Sequence, residues 1–234
     1  MNTKRIYKQL RSRVLKANLD LFNSDLIINT WGNVSEYDRK NGLVAIKPSG
    51  IPYHLLRAKD IVITNIDGKV LSGSLAPSVD LPIHLEIYKN ISSISGIAHT
   101  HSKWATSWAQ AGLPIPILGT THADFFIDDI PCTRPLSKKE VQQNYEKNTG
   151  ITVVEKITKY NKNIPPAILC YGHGVFSWGK DSSESVKNAI ILENIAEMAF
   201  TTTQINPNIK PVPKILKEKH FLRKNGTNAY YGQQ

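Results

Sequence analysis

The stretch "GIAHTHSKWATSWAQAG", residues 96 to 112, sets His99 and His101 two positions apart at the end of an apolar run. Successive side chains of a strand point to opposite faces, so the two imidazoles share a face while Thr100 points away. Two such histidines can converge on one metal ion, and they can equally be polar groups satisfied at a strand end. The pair alone does not separate these readings. Further ligands would, and two residues stand out: Asp80, at the start of an expected helix, and His173, inside "YGHGVFSWG". The glycines on either side of His173 lack Cβ and let backbone come close to an ion or a ligand. Three histidines and a carboxylate suit Zn²⁺. Cys170, three residues before His173, should point to the other side of an extended segment as a core thiol. His84 follows Asp80 by four residues and could face the same way, with a structural role at least as well supported. His54, His122 and His220 show no partner pattern.

Elements must bring these residues together. Ile6, Leu10, Val14, Ala17 and Leu21 recur at helical spacing, so a first helix capped by Thr3 is expected. The stretch from Leu26 to Tyr53 alternates β-rich pieces with turn residues, and "IVITNIDGKVLSG" reads as a hairpin turning at Asp67-Gly68. Ser78 as N-cap and Pro82 in the first turn predict a helix running to Lys89 or Asn90. "SISGIAHTH" reads as a buried strand, "SKWATSWAQAG" as a helix closed by Gly112, and "IPILGTTHADFF" as another strand and turn. A polar helix is expected over residues 137–145 and another after Thr149; then two strands joined at Gly172 to Gly174, a long helix over 183–205 and a last one over 214–224. Helices alternating with strands, one hairpin among them, imply a mixed or largely antiparallel sheet covered by helices.

The chain has 234 residues, enough for one α/β domain with a full core, and no internal repeat or linker divides it. With 41% hydrophobic and 21% charged residues its composition is that of a globular protein. No apolar run reaches the roughly 20 residues needed to span a bilayer, and the first residues lack the apolar stretch of a signal peptide, so a cytoplasmic protein without a membrane partner is expected. Cys132 and Cys170 are too few for a disulfide framework. The net charge of +10 is the one compositional excess. It comes without a basic run interleaved with aromatics or a zinc-finger spacing, so it reads as a lysine-rich surface and assigns no nucleic-acid partner.

Seven segments, taken in order, carry a resemblance: "NTWGNVS" (29–35), "IKPSGIPY" (46–53), "PSVDLPIH" (77–84), "IAHTHSKWATSWAQAG" (97–112), "LGTTHADFF" (118–126), "HGVFSWGK" (173–180) and the terminal "AYYGQ" (229–233). Together they are similar to the class II aldolase/epimerase family, and to its pentulose-phosphate 4-epimerases in particular. The resemblance implies a single α/β domain over residues 1–234, with a central, mostly antiparallel sheet covered by helices in three layers. It also implies a zinc ion and a cyclic homotetramer with active sites between neighbouring subunits. Carried over position by position, Asp80, His99, His101 and His173 correspond to the metal ligands. Gly32, Asn33, Ser49, Gly50, Ser78 and Val79 fall on the substrate and phosphate loops, and Lys47 beside them adds positive charge. Asp124 and Tyr231 correspond to an acid/base pair that reaches the metal of the adjacent subunit. Val79 departs from the pattern, which has a second serine there; its backbone N–H can still face a phosphate, and only the hydroxyl contact is lost.

The activity implied is interconversion of L-ribulose 5-phosphate and D-xylulose 5-phosphate. The C4 hydrogen of a ketopentose phosphate is not acidic, so breaking C3–C4, turning the aldehyde and rejoining it is the easier route to inversion. A metal stabilises the charge this develops. Two proton acceptors are then needed, one for each orientation of the C4 hydroxyl. The alternative is an aldolase of the same superfamily acting on a phosphorylated sugar; the resemblance weighs against it, because those aldolases carry the longer Glu where this chain has Asp80. A non-enzymatic binding module on the same fold fits poorly with ligand and acid/base positions that are all filled.

Overall fold

A computed structural model describes residues 3–160, 163–227 and 229–231; Gly232 and Gln233 of the terminal motif lie outside them. In chain order the elements are α1 (Thr3–Asn23), β1 (Asn33–Asp38), β2 (Leu43–Ile46), β3 (Val62–Asn65), β4 (Val70–Ser72), α2 (Leu81–Asn90), β5 (Gly96–Thr100), α3 (Lys103–Ala111), α4 (Thr120–Ala123), α5 (Lys138–Gln142), α6 (Tyr145–Ile157), β6 (Ala167–Leu169), β7 (Val175–Gly179), α7 (Ser182–Ile205) and α8 (Lys214–Asn225). The strands form one sheet in the order β4-β3-β2-β1-β5-β7-β6, every neighbouring pair antiparallel.

Strand parity divides the core. Leu43, Ala45 and Ile63 turn toward Leu10 and Val14 of α1, and Val34 and Ala98 toward Ala17 and Leu21 of α1 and Val186 and Ala189 of α7. Val44, Ile46, Ile97, Phe176 and Trp178 turn the other way, onto Ile83, Ile87 and Tyr88 of α2 and Val153 and Ile157 of α6. Each fully buried aliphatic chain of this kind contributes about 1.5–3 kcal/mol to folding. The result is three layers, with helices on both faces of the sheet, as expected. His99 has the parity of Ile97, so it lies on the α2 side. There it stands opposite Asn33 on β1 and Phe176 on β7.

Several local expectations change. Asp80, not Ser78, occupies the N-cap position of α2, and its side chain makes no capping bond because it is engaged elsewhere. "IPILGTTHADFF" forms no strand. Only Ile115 bridges, to Ile130, while the Ile117 N–H is taken by Asp129 Oδ1 and its carbonyl by Val212 N, which leaves no ladder. The segment continues as α4. The polar helix near residue 137 is only α5, capped by Ser137, and the next helix begins at Tyr145, four residues before Thr149. Asn144 at φ 55° makes the sharp turn between the two. His173 lies in the turn between β6 and β7, as the Cys170 N–H to Gly174 carbonyl bond of 2.8 Å and the return bond from His173 N to Cys170 show. Strand parity therefore does not govern Cys170, although its thiol is in the core as expected. Burial raises its pKa.

Candidate metal centre and substrate cleft

His99, His101 and His173 offer ring nitrogens that all lie within 4.8 Å of one another. The Nε2 atoms of His99 and His101 are 3.1 Å apart; two nitrogens each about 2.0–2.1 Å from a tetrahedral zinc would be roughly 3.3–3.4 Å apart. The other ring nitrogen of His99, Nδ1, lies 2.9 Å from the Val175 carbonyl. A carbonyl on the far nitrogen is the outer support that fixes the tautomer of a metal-binding imidazole. Phe176 stacks on the His99 ring at 4.3 Å. His173 is brought in by its turn, and a Cβ on Gly174 would come within 2.7 Å of the Thr100 carbonyl and 3.1 Å of the His99 ring, so only glycine allows this approach.

Burial lowers the pKa of His101 to about 4 and that of His173 to about 3, the neighbouring imidazoles adding to it and Asp80 opposing. Both are thus neutral at physiological pH, the form that binds a metal. Asp80 stands at the rim of the three rings, its Oδ2 4.0 Å from His99 Nε2. The same oxygen accepts from Asn33 Nδ2 at 2.8 Å and from Ser78 Oγ at 3.3 Å. Burial works against its ionisation, but the fields of His99, His84 and His173 and the Asn33 donor outweigh it and hold the carboxyl below its usual range. The donor set, three imidazoles and a carboxylate, therefore fits a zinc-type ion. His84 is buried beneath this group with Nδ1 2.7 Å from Ser35 Oγ, and it is not part of the convergent set.

The rings open into a cleft of about 480 Å³ that Gly32, Asn33, Lys47, Ser49, Gly50, Ser78 and Val79 all line, together with Asp80 and the three histidines. Two loops are zipped together there: Ser49 N donates to the Ala76 carbonyl at 3.1 Å and Ser78 N to the Lys47 carbonyl at 3.0 Å. Among the described residues no acceptor takes the N–H of Gly50 or Val79, so the lip carries two backbone donors suited to an anion. Val79 is 65% exposed. Lys47 is buried, its Nζ 4.7 Å from the centre of the Tyr53 ring, and desolvation lowers its pKa to about 8. The Tyr53 hydroxyl donates to the Gly32 carbonyl at 2.9 Å, so one aromatic ring supports both loops.

Asp124 and Tyr231 do not line this cleft. They meet elsewhere: Arg223 and Lys224 of α8 bind the Asp124 carboxylate and also lie over the Tyr231 ring, 4.9 and 4.3 Å from its centre. His220, which has no evident partner in the sequence, places Nδ1 3.0 Å from Asp124 Oδ1. Five further cleft residues were not singled out by sequence reasoning: Thr30, Pro48, Trp31, Tyr145 and Glu146. The last two open a helix expected to start later, and Trp31 lies within "NTWGNVS" without a spacing that marks it.

Residues 12–200 match the family described as class II aldolase and adducin N-terminal domain. The chain belongs to that family. It is 49% identical over 227 residues to an L-ribulose-5-phosphate 4-epimerase, UlaF, of Salmonella paratyphi C (strain RKS4594), covering 97% of this chain and all of that protein. Among solved structures the fold is shared with an L-fuculose 1-phosphate aldolase (TM-score 0.76, 24% identity, 90% of this chain and 95% of that one). It is shared also with the L-fuculose 1-phosphate aldolase of Glaciozyma antarctica PI12 (TM-score 0.75, 19% identity, 97% and 86%). No helix among the described residues is long and apolar enough to cross a membrane.

Proposed function

We propose that this chain, as one catalytic domain over residues 1–234, is a zinc-dependent epimerase that interconverts L-ribulose 5-phosphate and D-xylulose 5-phosphate. The observation that carries the reading is the 49% identity across 97% of the chain to a protein of that name. The three convergent imidazoles support it from the chemistry. When bound, zinc supplies a Lewis acid for negative charge developing on the C2 and C3 oxygens of the sugar. His99, His101, His173 and Asp80 are the residues that would hold it.

The rest is done by side chains and backbone. The Gly50 and Val79 N–H groups, Ser49, Ser78 and the Lys47 ammonium receive the phosphate, and Gly32 and Asn33 border the sugar. Anchoring the phosphate keeps the two-carbon aldehyde in the cleft once C3–C4 has opened, because the phosphate stays on C5 and leaves with C4 as glycolaldehyde phosphate. Rotation of that aldehyde before the bond re-forms inverts C4. Asp124 and Tyr231 accept and return the proton of the C4 hydroxyl, one for each orientation. They lie away from the cleft of their own chain, which supports a homotetramer of cyclic symmetry in which one subunit offers this pair to the cleft of the next.

Incubation of the purified protein with L-ribulose 5-phosphate tests the reading. D-xylulose 5-phosphate should accumulate, stop accumulating on addition of a chelator and resume with zinc. Net release of aldehyde without D-xylulose 5-phosphate would replace the epimerase with an aldolase.

A further inference from the structure

His99 has a carbonyl behind it, whereas among the described residues the only hydrogen-bond partner of the His101 ring is Nε2 of His99 itself. His101 also lies one residue past the end of β5, beyond the ladder that holds His99. The ring packs against Trp31, His99 and His173; with no outer hydrogen bond, its direction depends further on how its backbone is held. On the sheet face opposite the imidazoles, α7 presents Glu193, 9% exposed. Its Oε1 accepts from Trp104 N at 2.7 Å, and its Oε2 from Ala105 N at 2.9 Å and from Ser102 Oγ at 2.7 Å. Trp104 N and Ala105 N are first-turn donors of α3, the groups an N-cap side chain ordinarily satisfies. Ser102, at the N-cap position, makes no such bond; its hydroxyl is spent on Glu193 and accepts from Thr100 Oγ1 at 3.3 Å. Thr100 and Ser102 flank His101. A single carboxylate from another helix thus pins the chain that follows that histidine, and through the Ser102 hydroxyl it is linked to the Thr100 side chain before it.

We propose that Glu193 is a positioning residue for metal binding: by capping α3 from α7 it sets the direction of His101, taking the place of the outer hydrogen bond that His99 has and His101 lacks. The inference rests on the metal reading of the three histidines. In Glu193→Gln one acceptor becomes a donor that faces an N–H, so the chain at residues 100–105 shifts and the ring with it.

The test is zinc affinity, read by competition with a chromophoric chelator, and the absorption spectrum of the cobalt-substituted protein, for wild type, Glu193→Gln and Glu36→Gln. Glu36 is the matched control, since it too is a buried carboxylate at a helix start, accepting from Ser182 N at 3.2 Å at the beginning of α7. Glu193→Gln should weaken zinc binding about 10- to 100-fold and alter the cobalt spectrum, whereas Glu36→Gln should lower the melting temperature and leave both unchanged. Should Glu193→Gln not fold, Ser102→Ala, which keeps both backbone bonds, takes its place: affinity reduced threefold or more supports the inference and unchanged affinity overturns it. Wild-type affinity in a folded Glu193→Gln overturns the inference alone; a wild-type protein that binds no zinc removes the metal reading and the inference with it.

Discussion

Arg223 grips Asp124 with two nitrogens, Nε to Oδ1 at 3.0 Å and Nη2 to Oδ2 at 2.8 Å, across 99 positions of chain. Burial favours the neutral acid, but Arg223, His220 and Lys224 outweigh it and hold this carboxyl below its ordinary pKa. A carboxylate so held is available as a proton acceptor near neutral pH and donates poorly. Arg223→Gln should let the pKa rise. The acid limb of kcat/KM against pH should then move to higher pH relative to wild type. An unmoved limb would show that the titration it reports belongs to another group.

Lys47 provides a second titration, with the opposite sign. Its ammonium, lowered to about 8 by desolvation, loses charge as pH rises through that value, well before an ordinary lysine would. The apparent KM for the phosphorylated substrate should therefore climb above pH 8, and Lys47→Met should raise KM at pH 7 while flattening the climb. Initial-rate measurements from pH 6.5 to 9.5 read both effects.

Gly32 has no room to change. Its φ is +111°, and a Cβ would come within 2.8 Å of the His99 carbonyl and 2.6 Å of Ile27 Cδ1. Gly32→Ala should cost at least about 2 kcal/mol of folding stability from the backbone conformation and the clash together. Urea unfolding at constant m-value gives the figure, and a loss under 0.5 kcal/mol would mean that the loop relaxes freely.

His122 should make the fold acid-sensitive. It is buried edge-on against Phe126, and desolvation lowers its pKa to about 4. Between pH 6.5 and 4 the unfolded chain binds a proton at this residue that the folded one does not, so stability falls as pH falls through that window. The loss is on the order of 2–3 kcal/mol from this group. His122→Gln should flatten the dependence of unfolding free energy on pH over the same range; an unchanged slope would assign it elsewhere.

The readable and unreadable parts of the molecule divide by the distance over which their physics acts. The shared face of His99 and His101 follows from the two-residue period of a strand, and the stripe of Leu10, Val14, Ala17 and Leu21 from the helical period. The helical stripe survives intact, and the two imidazoles do converge, although β5 ends at Thr100, one residue short of His101. The start of α6 at Tyr145 depended on a single left-handed residue, Asn144, which no periodicity announces. The apolar run at Ile115 to Leu118 resembles a strand, yet Asp129 and Val212 intercept its hydrogen bonds. The contacts of Asp124 with His220, Arg223 and Lys224 span about a hundred residues and leave no local signal; resemblance placed Asp124 among the functional residues, and only the fold supplies its neighbours.

The three imidazoles do not stand on equal ground. His99 belongs to β5, which is laddered on both sides by β1 and β7, while His101 lies just beyond the strand end and His173 in the turn between β6 and β7. Turns and strand ends open by local fluctuation, whereas a central strand separates only when the sheet does. An ion seated there would therefore be shed in a fixed sequence: His173, in its turn, lets go first, His101, next to the chain that Glu193 holds, follows, and His99 keeps hold until the sheet gives way. Metal exchange could then run at loop-opening rates, far faster than global unfolding.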